Sequence, residues 1–172
     1  MRRGTATALA ALTLLAAAGC TQTQAEYTTP SELCGVPVDP AVLRPVLLPG
    51  EKLTTSTANS AEDLRRCAVF IDEDRILDLQ TRPEPADKNY RGMWDYYMPD
   101  GTPVDIGDDG LATDIAVGAA ARCSVKGEKR VFVAQAFRFY PKRDDATTRK
   151  EALVRFMTAY FPAAKKAAGC TG

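Results

Sequence analysis

The five cysteines constrain the fold of this 172-residue chain more than any other feature of its sequence. Cys20 directly follows an apolar N-terminal run, whereas the other four are spread over the rest of the chain. In an exported protein, an odd number of cysteines leaves one thiol over unless that thiol has a role of its own. If Cys20 has such a role, the remaining four form an even set that can pair in an oxidising compartment. These four are Cys34, Cys67, Cys123 and Cys170.

The N-terminus predicts an export signal. Arg2 and Arg3 precede an apolar run from about Ala6 to Ala18, and such charges stay on the cytoplasmic side while the apolar segment inserts. The run is shorter than the roughly 20 apolar residues that a transmembrane helix needs. We therefore expect the mature chain to lie outside the cytoplasmic membrane.

The end of this segment, Ala17-Ala18-Gly19-Cys20, resembles the lipobox of bacterial lipoproteins. In that family the cysteine thiol receives a diacylglyceryl group and the signal is cut just before it. The resemblance therefore implies lipidation of Cys20 and stable anchoring, because two acyl chains hold a protein where one binds only marginally. Ala17 departs from the pattern, since leucine is more usual there. Plain cleavage after Ala18 or Ala25, which would give a soluble secreted protein, is the alternative.

The sequence divides into a signal, a tether and one domain. After the cysteine, residues 21–31 are polar and have no apolar period, so they cannot bury enough surface to offset the entropy of ordering. No Pro/Ser-rich linker divides residues 32–172, whose length suits a single core. We predict a signal over 1–19, a tether over 20–31 and one domain over 32–172.

Hydrophobic periodicity predicts an α+β domain. One β-hairpin is expected over Cys67–Thr81 and a longer one over Ile115–Tyr140. The capping box Thr148-x-x-Glu151 precedes an apolar stripe at helical spacing, which predicts a C-terminal helix. Such a stripe needs a sheet to pack on, so we predict an antiparallel sheet of two or more hairpins covered by this helix.

One strand of the second hairpin contains an exception to its pattern. Val131, Val133, Phe137 and Phe139 share one face by alternation, and Gln135 is a polar residue in the same series.

Four cysteines allow three disulfide pairings, and sequence alone does not choose among them. We favour Cys34–Cys67 and Cys123–Cys170, because each would tie a flanking helical segment to the start of a strand. In the chain-entropy model, closing loops of this size removes on the order of 4 kcal/mol of unfolded-state entropy per disulfide. A redox pair or a thiolate metal site is the alternative, but no Cys-x-x-Cys spacing supports it.

The composition excludes several classes of function. The absence of histidine removes Ser-His-Asp and Cys-His nucleophilic sites as well as imidazole metal sites. The 22 basic and 22 acidic residues balance, whereas nucleic-acid binding requires a basic surface. No GxGxxG, P-loop or SxxK motif occurs. We therefore predict no nucleic-acid partner, no cofactor, no metal and no catalytic residue.

The most unusual segment is Tyr90–Tyr97, which contains four of the thirteen aromatic residues and the single tryptophan. Aromatic rings beside Arg and Asp supply a rigid apolar area together with hydrogen-bonding groups, as exposed recognition surfaces do. Sugar rings also stack on such platforms. The alternative is that Trp94 and alternate tyrosines fill the core beside the sheet. The candidate binding surface consists of Tyr90, Arg91, Trp94, Tyr96 and Tyr97.

Acidic residues are concentrated just after this segment. The carboxylates between Asp100 and Asp114 could supply the six to eight oxygen ligands of Ca²⁺, although their spacing does not match an EF-hand loop. Asp and Gly also favour turns without any metal, so the sequence leaves calcium binding open. A pair of carboxylates could instead hydrolyse glycosides. The candidates for such a pair are Asp95, Asp100, Asp105 and Asp114.

From its signal to Cys170, the chain resembles the small Ala-rich lipoproteins of unknown function found in actinobacteria. The resemblance rests on the AAGC lipobox, the polar tether and the hairpin starts RCAVF and RCSVK. It implies an extracytoplasmic location on the cell membrane and carries no activity or site residues. We predict a lipid-anchored interaction or ligand-binding module, with an envelope protein or a wall glycan as partner. The alternatives are a carboxylate-based cell-wall hydrolase and an inhibitor or immunity-type protein of a secreted enzyme.

Overall fold

A seven-stranded antiparallel sheet forms the centre of the structure, a computed structural model that describes residues 25–60, 63–139 and 145–172. The predicted signal and Cys20 lie outside the described residues. Within the described residues, a two-stranded sheet and three α-helices accompany this sheet. In chain order the elements are β1 (Glu32–Leu33), β2 (Val36–Pro37), α1 (Pro40–Leu43), a 3₁₀ turn (Arg44–Val46), β3 (Leu53–Ser60), β4 (Leu64–Ile71), β5 (Asp74–Pro85), α2 (Tyr90–Tyr97), β6 (Thr102–Pro103), β7 (Asp109–Ala112), β8 (Ala116–Val125), β9 (Glu128–Arg138) and α3 (Ala146–Ala167).

The predicted α+β class is confirmed. The order of the large sheet is β3-β4-β5-β9-β8-β7-β6, so two meanders meet where β5 pairs with β9. The two predicted hairpins are β4–β5 and β8–β9, and they therefore form the middle of one continuous sheet. The second hairpin was predicted to reach Tyr140, but β9 ends at Arg138 and Tyr140 lies outside the described residues.

Helix α3 covers one face of the sheet with the apolar stripe that the sequence predicted. Its buried residues include Leu153, Phe156 and Met157, and the Phe161 ring lies 5.5 Å from the ring of Phe132 on β9. The helix begins earlier than the capping box predicted, because Asp145 is the N-cap: its Oδ1 accepts hydrogen bonds from the backbone of the next turn.

Helix α2 covers the other face, over the second meander. Trp94 is completely buried in a separate apolar cluster with residues of β7, β8 and β9. Gly118 on β8 makes this packing close, since a Cβ atom there would lie 2.8 Å from Cε2 of the indole. The sheet is therefore covered by α3 on one face and by α2 on half of the other.

Both favoured disulfides are present. Cys34–Cys67 joins the β1–β2 turn to β4, and Cys123–Cys170 joins β8 to the segment after α3, with Cα–Cα distances of 5.9 and 5.5 Å. Their predicted location was only partly correct, because Cys34 lies in a hairpin turn and not in a helical segment. Cys67 lies in the middle of β4 and Cys123 near the end of β8, so neither is at the start of its strand. Each bridge nevertheless fastens a terminal segment to the sheet.

The described part of the predicted tether already contacts the domain. The backbone N–H of Glu26 donates to the Gly50 carbonyl at 2.8 Å, and the Tyr27 hydroxyl donates to the Leu48 carbonyl at 2.5 Å. Arg44 in turn donates to the Tyr27 hydroxyl at 2.8 Å. The chain therefore joins the domain at Glu26, before the predicted boundary at residue 32.

Replacing Gly118 by alanine tests the packing of α2. The new methyl group would collide with the Trp94 ring, and overpacking of this kind costs about 1–3 kcal/mol. We expect the urea midpoint of Gly118→Ala to fall accordingly. Asp95→Ala, at an exposed position of α2, is the control and should leave stability unchanged or raise it. Equal midpoints for Gly118→Ala and the wild type would show that α2 is not packed on the sheet as described.

Candidate functional site

Helix α2 carries all five residues of the predicted binding surface. Asn89 caps its N-terminus, with the side-chain oxygen accepting from the backbone N–H of Gly92 at 3.0 Å. Trp94 is 0 % exposed and belongs to the core, so it cannot contact a ligand from this position. The candidate surface is therefore narrower than the sequence alone predicted.

Two of the five residues attach the start of α2 to the sheet. The Arg91 guanidinium pairs with Oδ1 of Asp109 at 2.8 Å, and the Tyr90 hydroxyl donates to Oδ2 of the same carboxylate at 3.3 Å. Burial, and then the negative charge of Asp109, raise the pKa of the Tyr90 hydroxyl. Tyr90 and Arg91 thus position the helix.

The last two residues of α2 are the exposed ones. Tyr96 is 78 % exposed and Tyr97 is 57 % exposed, the two highest values among the large apolar side chains in the described ranges. Their rings meet edge-on with centroids 5.0 Å apart, and the Tyr97 ring lies 6.0 Å from the ring of Phe137 on β9. We call Tyr96, Tyr97 and Phe137 the aromatic ridge.

A charged cluster lies beside the aromatic ridge. Asp78 on β5 is the register partner of Phe137, and its Oδ2 pairs with the Arg75 guanidinium at 2.9 Å. The same guanidinium lies over the Phe139 ring, 5.7 Å from its centroid. Burial raises the pKa of the Asp78 carboxyl, and the positive charges of Arg75 and Arg66 oppose this effect.

Three buried polar atoms on this side of the sheet have no hydrogen-bond partner in the described structure: Oδ1 of Asp78, Nε2 of Gln135 and Nε1 of Trp94. Asp78 is 5 % exposed and Gln135 is 4 % exposed. Native proteins satisfy most buried polar groups, so each exception calls for an explanation. Gln135 was the polar exception in the strand pattern, which is the sequence signal that points to it. Asp78 gave no such signal.

The acidic segment Asp100–Asp114 is largely occupied by protein donors. Asp108 accepts from the backbone N–H of Arg122 at 2.7 Å, Asp109 binds Tyr90 and Arg91, and Asp114 pairs with Arg149. Across residues 25–60, 63–139 and 145–172, no three acidic or cysteine side chains are grouped closely enough to hold a metal ion.

The carboxylates named for glycoside hydrolysis lie in two kinds of surroundings. Asp95, Asp100 and Asp105 are all exposed, and Asp114 pairs with Arg149. A general acid for this reaction normally lies in apolar surroundings that keep it protonated. The structure therefore offers no observation that favours these residues as a catalytic pair.

No protein-family model, curated protein or solved structure matches this chain. The function is therefore inferred from the geometry of the site. The site contains an exposed aromatic ridge, fixed by a packed helix, next to a buried carboxylate and a buried amide. Such a combination can bind a ligand by ring stacking and directed hydrogen bonds.

The buried carboxyl of Asp78 predicts a pH-dependent stability difference. Because its pKa is raised in the folded state, the folded protein binds more protons than the unfolded chain above the usual carboxyl pKa, and stability falls as pH rises through this range. Asp78→Asn removes this titration. We expect the free energy of unfolding of Asp78→Asn, relative to the wild type, to increase between pH 3.5 and pH 7 in urea titrations. A constant or decreasing difference would contradict the burial of this carboxyl.

Proposed function

We propose that the protein is a lipid-anchored extracytoplasmic module that binds an envelope ligand or partner through the aromatic ridge. The observation that carries this proposal is the exposure of Tyr96 and Tyr97 at the end of a helix whose Trp94 is fully buried. Aromatic residues at interfaces supply large, rigid contact areas. The third ring, Phe137, extends the same surface onto the sheet.

The local structure holds the ridge ready for contact. Trp94 packs α2 onto Gly118, and the Arg91–Asp109 ion pair fixes the start of the helix. A ligand that meets rings already in position pays little ordering entropy on binding. The rings are therefore a preformed surface.

The anchor keeps this surface close to the membrane. Six residue steps separate Cys20 from Glu26, so this part of the chain spans at most about 20 Å. The backbone of Glu26 is hydrogen-bonded to Gly50, which lies only a few residues before β3. Phe137 is on β9, three strands away from β3 in the sheet. A ligand on the ridge must therefore come within roughly 50 Å of the anchor. Within the described residues, no helix is both long enough and apolar enough to cross a membrane.

The ridge is tested by combining Tyr96→Ala and Tyr97→Ala in the anchored protein. Crosslinking and affinity recovery from intact envelope should yield a partner with the wild type and at least about ten-fold less with the double variant, since two central contacts are lost. Val125→Ala, which truncates a partly exposed apolar residue at the opposite end of β8 from Phe137, is the control. Equal recovery with the double variant would rule out the ridge as the binding surface.

Trp94→Ala is not a suitable test of binding. Removing a fully buried tryptophan costs about 3–5 kcal/mol and would weaken the fold itself. The identity of a ridge-dependent partner also addresses the inhibitor hypothesis, because a one-to-one complex with a secreted enzyme would be its signature.

Lipidation is tested at Cys20. We expect an alkyne analogue of palmitate to label the wild-type protein in a bacterium that processes lipoproteins, and the labelled protein to sediment with membranes. Cys20→Ser should abolish both labelling and sedimentation, because it removes the thiol that carries the diacylglyceryl group. Recovery of unlabelled wild-type protein in the medium would instead support plain cleavage and secretion.

A further inference from the structure

We propose that the aromatic ridge and the buried polar side chains beside it bind one sugar ring of a glycan, with Asp78 and Gln135 as its hydrogen-bonding groups. This inference rests on the proposed function, because it assigns a ligand class to the same surface. It also adds two residues, Asp78 and Gln135, that the ridge does not include.

Strand register places the carboxyl and the amide next to each other. Asp78 pairs with Phe137 and Gln80 pairs with Gln135, so Asp78 and Gln135 are diagonal neighbours on adjacent strands. Leu77 and Leu79, on either side of Asp78, belong to the core beneath α3, and Asp78 therefore points to the face that carries α2. Diagonal neighbours of this kind are roughly 7–8 Å apart, which is within reach of one ring.

The unpaired atoms are complementary to a hydroxyl-bearing ligand. Oδ1 of Asp78 is an acceptor without a donor, and Nε2 of Gln135 is a donor without an acceptor. A sugar hydroxyl can both donate and accept, and neighbouring hydroxyls on one ring present both functions side by side. Satisfying these groups removes the penalty that each carries while it is buried alone.

Arg75 covers the Asp78 carboxylate in the free protein. Its guanidinium holds Oδ2 of Asp78 and lies over the Phe139 ring, while its side chain is 48 % exposed. A side chain that is half exposed can rotate away without opening the core. Ligand hydroxyls would then reach the carboxylate while the ring stacks on Tyr97 or Phe137.

The composition of the surrounding face favours a sugar over an apolar peptide. Beyond the ridge, β3, β4 and β5 present mainly hydroxyl, amide and guanidinium groups, with Leu64 and Phe70 as the large apolar side chains. An apolar peptide would therefore find little continuous aliphatic area. By strand alternation, the residues on this open half of the face include Thr54, Ser56, Ala58, Leu64, Arg66, Ala68, Phe70 and Gln80.

The test is an NMR titration of the purified protein with tetramers of N-acetylglucosamine, glucose, galactose and mannose, and with soluble wall-glycan strands. We expect at least one probe to shift the ring signals of Tyr97 and Phe137 together with the side-chain amide of Gln135. Asp78→Asn should weaken the binding of that probe by about ten-fold, because it removes a charged acceptor. Asp105→Asn, at an exposed carboxyl away from the ridge, should have no effect.

The Gln135→Leu variant distinguishes a loss of binding from a loss of folding. Replacing a buried, unpaired amide by an apolar side chain of similar size should preserve or raise the urea midpoint. Binding of the sugar should nevertheless be lost, which separates a ligand contact from a structural role. Undiminished binding by this stable variant would overturn the assignment of Gln135.

The outcomes distinguish the inference from the proposed function. If no probe shifts these signals while envelope recovery still depends on Tyr96 and Tyr97, the surface binds a partner and the sugar assignment is wrong. If envelope recovery is also unchanged when Tyr96 and Tyr97 are replaced, the proposed function is wrong as well. A high-resolution crystal structure showing only an ordered water between Asp78 and Gln135, unchanged when soaked with all five probes, would likewise overturn the inference.

Discussion

The packing of Trp94 over Gly118 is the contact on which the functional surface depends. The indole fills the space that a side chain at residue 118 would occupy, and this lets α2 lie directly on β8. Because α2 is only two turns long, propensity alone would not hold it. Burial of this one large side chain fixes the helix and thereby sets the positions of Tyr96 and Tyr97.

The face of the sheet that carries α2 has two halves of different composition. Over the second meander it is apolar and covered by α2, whereas over β3, β4 and β5 it is polar and open. Asp78 and Gln135 lie at the boundary between these halves, where burial is nearly complete but protein partners are missing. At this boundary a ligand can stack on the aromatic ridge and form hydrogen bonds with Asp78 and Gln135. The disulfides fasten terminal segments to β4 and β8, so the sheet beneath the boundary is braced from both meanders.

Sequence patterns predicted the elements with strong periodicity and missed those specified by tertiary contacts. The apolar stripe of α3 and the two long hairpins were predictable because burial imposes a regular period. The start of α3 was misplaced, since Asp145 and Thr148 are both good N-caps and only the fold selects between them. The two-residue strand β6 has no periodicity of its own and exists through its pairing with β7.

The location of the candidate site was predictable from the sequence, but the residues that form it were not. Clustered aromatic residues pointed to Tyr90–Tyr97, but whether Trp94 faces inward depends on Gly118, which is distant in sequence. Phe137 joins the ridge, and Asp78 lies beside it, through strand pairing alone.

Hydroxyl-radical footprinting of the anchored protein tests the central claim, that the aromatic ridge is the surface in contact with the envelope, most directly. Labelling of Tyr96, Tyr97 and Phe137 should be strong in the purified protein and substantially reduced in intact envelope, while Val125, at the opposite end of β8, is labelled equally in both. Equal labelling of the ridge in both samples would show that nothing covers it and would contradict the account.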